Sequence, residues 1–456
     1  MKAKFELRNG LYKTMWSSAK SMWKSAIIMA FILAASYISP SARTDVPASA
    51  QVLLPPGISL HPIDGGTAYY GRFSPSLPDD PGFFPVGVWF ESVLSDVDIA
   101  TDRAAGLNTY VQLTDDSNVD LVKSNGLHAF PSTTKSGSSG FVISDEVDMW
   151  GGGGNSNWTG RTQGEGIICD PPDSACGYTI QESLKLQFPR QSLLYANYGK
   201  GVTFHLKDSE AAQFVNQYQD VVSADNYWFT DPYICSPVEG GAVFAPGRDL
   251  SDEECRTAAH YGWTVDRVRS LVQPAGSKPV WAFVEVGQPF SDPASPPISP
   301  AQVRAAVWSS LIHGARGIVY FNHNFGGTCL SQHVLRDECG GDVRPAVTAV
   351  NHLITSLAPA LNAPSITGLI TSGTPGVDML VKASGGHLYL MAASTRNERR
   401  DVAFSLACGS PEQVTVLDEG RTISMSGKTF TDTFDDANAV HVYRFDGGSS
   451  CNLGIN

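Results

Sequence analysis

From residue 85 onward, short apolar runs alternate with stretches in which apolar positions recur every three to four residues. The first kind reads as buried strand and the second as amphipathic helix. Eight runs have strand length: 85–89, 107–113, 127–130, 140–146, 193–197, 221–225, 278–285 and 317–321. Helix starts lie between them. Ser95 precedes Asp98, Ser251 precedes Glu254, and Ser299 precedes Gln302 with Pro300 at the first helical position. In each case the two side chains can satisfy backbone N–H groups that the first helical turn leaves unpaired. A final helical stretch covers 345–357. Strand alternating with helix implies a parallel sheet, and eight repeats over roughly 275 residues fit a (β/α)8 barrel. An open doubly wound sheet is the alternative, but no glycine-rich phosphate fingerprint follows the first run. The expected fold class is α/β, a TIM barrel over 83–358.

After Pro359 the pattern changes to period two. Val402, Phe404 and Leu406 alternate with polar residues, as do Val414 and Val416, then Val440 and Val442. Ser384-Gly385-Gly386 between two such runs is a hairpin signal. A small all-β sandwich over 359–456 is expected. Residues 51–82, rich in Pro, Gly and Ser, read as a lead-in segment with one strand near 67–72.

The first 50 residues belong to neither domain. Seven basic residues against Glu6 and Asp45 surround an apolar run at 26–35, and Ala48-Ser49-Ala50 offers a cleavage site. That run is shorter than the ~20 residues a membrane span needs and suits a secretory signal peptide, with retention as an anchor the alternative. Removing this +5 leader from a chain of net charge −13 leaves about −18. An acidic surface without a basic stripe excludes nucleic acid as the natural partner. A secreted protein with no stable membrane insertion after signal cleavage is expected, and eight cysteines agree with an oxidising compartment. Neighbours in sequence give pairings 169–176, 235–255, 329–339 and 408–451, among 105 possible connectivities. No C-x-x-C pair occurs, so neither a metal nor a cofactor is expected.

Active sites of such barrels lie at the C-terminal strand ends, and polar residues collect there. Trp89 and Glu91 follow the first run, Asp115 and Asp116 the second. Asp145, Glu146 and Asp148 end the fourth, within Gly140–Trp150, GFVISDEVDMW. Asn197 and Tyr198 end the fifth, Asp225 and Tyr227 the sixth, Glu285 the seventh, and Asn322, His323 and Asn324 the eighth. Two glutamates, Glu146 and Glu285, each terminate an apolar strand. Cleaving a glycosidic bond takes two carboxyl groups, one to protonate the leaving oxygen and one to attack the carbon or activate water. Trp150 on the rim offers a flat face for a sugar ring.

These features resemble clan A of the retaining glycoside hydrolases. The stretch 304–325, RAAVWSSLIHGARGIVYFNHNF, is similar to the last helix–strand unit of such enzymes, and 439–445, AVHVYRF, to the closing strand of their accessory sandwiches. The resemblance implies Glu146 as acid/base and Glu285 as nucleophile, with Tyr227 positioning the nucleophile. It implies sugar contacts from Trp89, Asp145, Trp150, Asn197, Asp225, Tyr227, Asn322 and His323. Two positions depart from the pattern: Asp145 stands where an Asn is usual, and Phe321-Asn322-His323 where a Trp is usual. A catalytically silent glycan-binding barrel is the alternative function. An ester or amide hydrolase is disfavoured, because no G-x-S-x-G elbow is present. The expected partner is a carbohydrate of an extracellular or cell-wall glycan.

Overall fold

The computed structural model describes residues 54–446. The expected signal peptide at 1–50 therefore lies outside the described residues. The chain is mixed α/β, with a sheet-rich C-terminal region.

Eight parallel strands appear where the apolar runs place them: β1 Val86–Trp89, β2 Thr109–Val111, β3 His128–Phe130, β4 Phe141–Asp145, β5 Leu194–Tyr198, β6 Val221–Ala224, β7 Ala282–Glu285 and β8 Ile318–Phe321. Several are shorter than their runs, because only the central residues find ladder partners. Hydrogen bonds order them β7-β8-β1-β2-β3 in one group and β4-β5-β6 in another. Ser139 N–H to Ala129 O at 2.8 Å and Val142 N–H to Pro131 O at 3.1 Å link β3 to β4. Trp281 N–H to Val222 O at 2.8 Å, with a parallel bridge between Val222 and Val280, links β6 to the approach of β7.

Side chains alternate along these strands, as the two-residue period requires. Trp89, Phe130, Tyr195, Trp281 and Phe283 pack with one another as one aromatic cluster. Their neighbours Val88, Ala196, Ala282 and Val284 pack with the surrounding helices. Burial of side chains this size stabilises by about 1.5–3 kcal/mol each. The capping boxes at Ser95, Ser251 and Ser299 form as expected. The helix beginning at Ser251 is broken, however, into Asp252–Cys255 and Ala259–Leu271. The last helix is longer than its pattern, Val343–Leu361.

The C-terminal region holds a seven-stranded and a three-stranded antiparallel sheet. Leu390, Phe404, Val414, Phe430 and Tyr443 form the core shared by their strands. Gly385 and Gly386 carry φ of 57° and 77°, the pair of positive values that a tight hairpin turn needs. The lead-in differs from expectation. Residues 70–72 form a single helical turn, whereas Ser59–His61 is a strand added to the edge of the seven-stranded sheet through Ser365–Thr367. Its register is set by pairing across some 300 residues, which no local pattern records.

Three expected disulfides are present, Cys169–Cys176, Cys235–Cys255 and Cys329–Cys339. Cys408 is also disulfide-bonded. Its expected partner, Cys451, lies outside the described residues. Among the described residues, no helix is long and apolar enough to cross a membrane.

Candidate active site

The end of β4 is shaped by a register shift between Val142 and Ser144. The shift lets Ile143 pack among the helices and lets Ser144 accept a hydrogen bond from Gln181 Nε2 at 2.7 Å. It leaves Asp145 paired with Asn197 on β5. Glu146 follows with φ 50°, ψ 32°, left-handed backbone that costs a non-glycine residue about 1–2 kcal/mol. The helix Val147–Trp150 starts at the next residue, so this one position turns strand into helix and sets the direction of the Glu146 side chain.

Neighbouring groups hold the turn. Glu146 N–H donates to Asn197 O at 2.9 Å, and Trp150 Nε1–H to Asp145 O at 2.9 Å. The buried Asp148 carboxylate accepts from the amides of Gly199 at 3.0 Å and Val202 at 2.7 Å. Burial raises Asp148 to about 6, against the pull of those amides. Gly199 is thereby drawn under Glu146 so closely that a Cβ there would stand 2.9 Å from Glu146 Oε1.

Strands β5 and β6 complete the group. Asn197 is fully buried. It donates to Asp145 Oδ1 at 3.0 Å and accepts from Ser223 at 2.7 Å. Asp225 N–H donates to Tyr198 O at 3.0 Å just past the end of β6. The Asp225 side chain accepts from the Tyr227 hydroxyl at 3.2 Å through Oδ2, while its Oδ1 is buried without a hydrogen-bond partner. Burial first, then the charges of Glu146, Asp145 and Asp148, raise the Asp225 carboxyl well above the usual carboxylate range. Asp145, Glu146 and Asp225 are each partly exposed. They form one group at the ends of β4 and β6, with Asn197 of β5 between them.

Glu285 is placed differently. It is 0% exposed, at the end of β7. The Tyr261 hydroxyl lies 2.7 Å from both carboxyl oxygens, and Thr230 Oγ1–H donates to Oε1 at 3.1 Å. Burial raises Glu285 to about 7, opposed by the hydrogen bonds from Tyr261 and Thr230. Tyr227, expected beside the nucleophile, donates to Asp225, and Tyr261 takes the place beside Glu285.

The remaining expected residues divide between floor and frame. Trp89 is buried among Tyr195 and Phe283. Trp150 is half-buried and packs on the main core. Asn322 donates to Glu91 Oε2 at 2.5 Å and accepts from Leu335 N–H at 2.8 Å, which makes it part of the frame. His323 is buried, with its ring against Phe321 and Phe325.

Two polar networks escaped the sequence reading. Glu91, buried at the end of β1, meets His333, Arg336 and Asn322, and Arg336 reaches on to Asp102 at 2.6 Å. This network ties the loop after β8 to β1. Lys200, next to Gly199, meets Asp231 at 2.6 Å and Glu239 at 2.5 Å. Their members are scattered over more than 200 residues for the first and about 40 for the second, with no shared motif to signal them. Among the described residues, no three His, Cys, Asp or Glu side chains converge as a metal-binding group.

The sequence matches no protein-family model and no curated protein. Solved structures similar to the chain include glycoside hydrolases. A GH30 endoxylanase from Clostridium papyrosolvens is 12% identical, with 80% of this chain and 97% of that one covered, at a TM-score of 0.41. A structure described as a glycoside hydrolase is 13% identical, covering 80% and 93%, at 0.46. A GH27 β-L-arabinopyranosidase from Geobacillus stearothermophilus is 9% identical, covering 80% and 97%, at 0.43.

Proposed function

We propose that this protein is a secreted glycoside hydrolase acting on an extracellular or cell-wall glycan by a retaining, double-displacement mechanism. We read the cyclic order of β1 to β8 as a closed (β/α)8 barrel with its site at the C-terminal strand ends. The observation that carries the proposal is the group of partly exposed acids Asp145, Glu146 and Asp225, in which burial and the neighbouring acids raise the proton affinity of Asp225. Glycosidic cleavage needs a division between a proton donor and a charged partner.

The pair read from sequence is Glu146 as acid/base and Glu285 as nucleophile. Its support is that both follow or end parallel strands at their C-terminal ends. To attack a sugar, Glu285 would have to part from Tyr261 and Thr230, which now cover it. Asn197, Tyr227 and the aromatic residues after β8 would frame the sugar, with Asp145 held by Asn197.

A panel of chromogenic aryl pyranosides and furanosides tests the activity, with NMR of the first-formed anomer reporting retention. Turnover that survives Glu146→Gln unchanged would sink the assignment of Glu146. Glycan binding without any turnover in the wild type would favour a silent binding protein instead.

A further inference from the structure

We propose that Tyr233 is the stacking platform of a second sugar subsite, so that the substrate is a glycan of at least two linked sugars. The inference rests on the glycosidase reading and keeps its pair, Glu146 and Glu285.

Tyr233 lies in the connection after β6 and is 49% exposed. Its segment is fixed to the surroundings of both glutamates. Three residues before it, Thr230 Oγ1–H donates to Glu285 Oε1 at 3.1 Å. The Tyr233 N–H donates to Asp231 Oδ1 at 2.8 Å, and Oδ2 of the same carboxylate meets Lys200 at 2.6 Å. Lys200 follows Gly199, the residue that lies under Glu146 with no room for a Cβ.

The direction of the ring is fixed as well. The Tyr233 hydroxyl donates to Asp292 Oδ2 at 2.7 Å, across to the connection after β7. Ser295 Oγ–H to Thr230 O at 2.6 Å joins the same two connections, and Cys235–Cys255 closes the segment that follows the ring. A ring braced at both its backbone and its hydroxyl loses little further freedom when a ligand settles on it. With the hydroxyl engaged, the contact this residue offers is its flat apolar ring, on which the C–H face of a sugar packs.

One exposed aromatic side chain is ordinary on a protein surface. The distribution here is not. Among the described residues, the exposed large apolar side chains, Val97 and Leu186 excepted, lie in the connections leaving the C-terminal ends of β1, β4, β6 and β8. Met149, Phe325 and Leu330 are among them, and the C-terminal region contributes none. Apolar surface gathered on one set of loops marks a binding surface. A glycan chain, with hydroxyl edges and apolar C–H faces, matches acids at the strand ends bordered by apolar loops.

The test compares substrates of different reach on the full chain. Once the aryl panel has named the sugar, its glycosyl fluoride fills one subsite, because fluoride is too small to stack. Linear oligosaccharides of the same sugar reach further. Tyr233→Ala is expected to lower the ratio of kcat/KM on oligosaccharide to that on fluoride by about tenfold, through KM more than kcat. Tyr233→Leu, which keeps bulk without a flat ring, should behave alike, whereas Tyr233→Phe should retain most of the ratio. Thermal melts check that the variants fold. A ratio unmoved in both Tyr233→Ala and Tyr233→Leu, or a wild type that cleaves the fluoride and no oligosaccharide, overturns the inference and leaves the glycosidase reading intact. Where the wild type cleaves oligosaccharides alone, a KM unmoved in Tyr233→Leu overturns it equally. No turnover of fluoride, aryl glycoside or oligosaccharide by the wild type overturns both.

Discussion

The Tyr261 hydroxyl sits 2.7 Å from each carboxyl oxygen of Glu285, closing the end of β7 from the outside. A carboxyl buried this way prefers to be protonated. Burial carries Glu285 from 4.5 to about 7, so the folded chain holds a proton that the unfolded chain releases. Stability contributed by this group is full below pH 4.5 and falls as pH rises through about 7. The shift corresponds to about 3 kcal/mol at most. Glu285→Gln should therefore gain stability relative to wild type between pH 5 and pH 8, measured by urea unfolding at both values. An equal change at the two pH values would contradict this.

Removing the Tyr261 hydroxyl should have the opposite effect. Tyr261→Phe leaves Glu285 covered but without its best donor and is expected to destabilise by about 1–3 kcal/mol. The loss should be larger at pH 8 than at pH 5, because the charged form needs the donor more. Paired unfolding curves check this.

Gly199 lies under Glu146 with no room for a side chain. A Cβ would meet Glu146 Oε1 and Met149 Cγ, both at 2.9 Å. Gly199→Ala should displace the Glu146 carboxylate and lower kcat/KM by about a hundredfold, the scale of a misplacement near 1 Å. The thermal midpoint should change little by comparison. Unchanged kinetics would mean that the turn yields without moving the acid.

His313 joins the two regions. Its ring meets Asp266 at 2.7 Å and Asp378 at 3.1 Å, the latter on the strand Val377–Ser384 of the C-terminal region. Burial alone would lower its proton affinity, but the two carboxylates outweigh it and raise His313 to about 9. This tie is fully present below pH 6.5 and lost as pH rises through about 9. Its contribution is below about 3 kcal/mol, since the half-exposed Asp266 is screened by water. His313→Ala should lower the melting temperature at pH 6 more than at pH 10.

The Glu91–Arg336–Asp102 network should be the least tolerant. Arg336→Met would leave two buried carboxylates without their shared cation, at a cost of about 3–5 kcal/mol. Restoring part of that loss by adding Asp102→Asn would show that the uncompensated charge is responsible.

The chain's own order of apolar and polar residues determined the eight strands, three capped helix starts, the Gly385-Gly386 hairpin and three of the cysteine pairings. Each depends on residues within a few positions or one loop of each other, so local pattern suffices to record it. The acids at the strand ends were legible for the same reason, because a polar residue closing an apolar run is visible in one dimension. Which acids meet was not. Glu146 and Glu285 look alike in sequence, each ending a strand, yet one stands partly open above Gly199 and the other is covered by a tyrosine from a helix. That Asp225 stands beside Asp145 and Glu146 was decided only when β4, β5 and β6 came side by side. The strand at Ser59–His61 and the Glu91–His333–Arg336 network have the same origin. Burial, unpaired oxygens and proton affinity are properties of what surrounds a side chain, and the surroundings come from residues distant in sequence, assembled only in the folded protein.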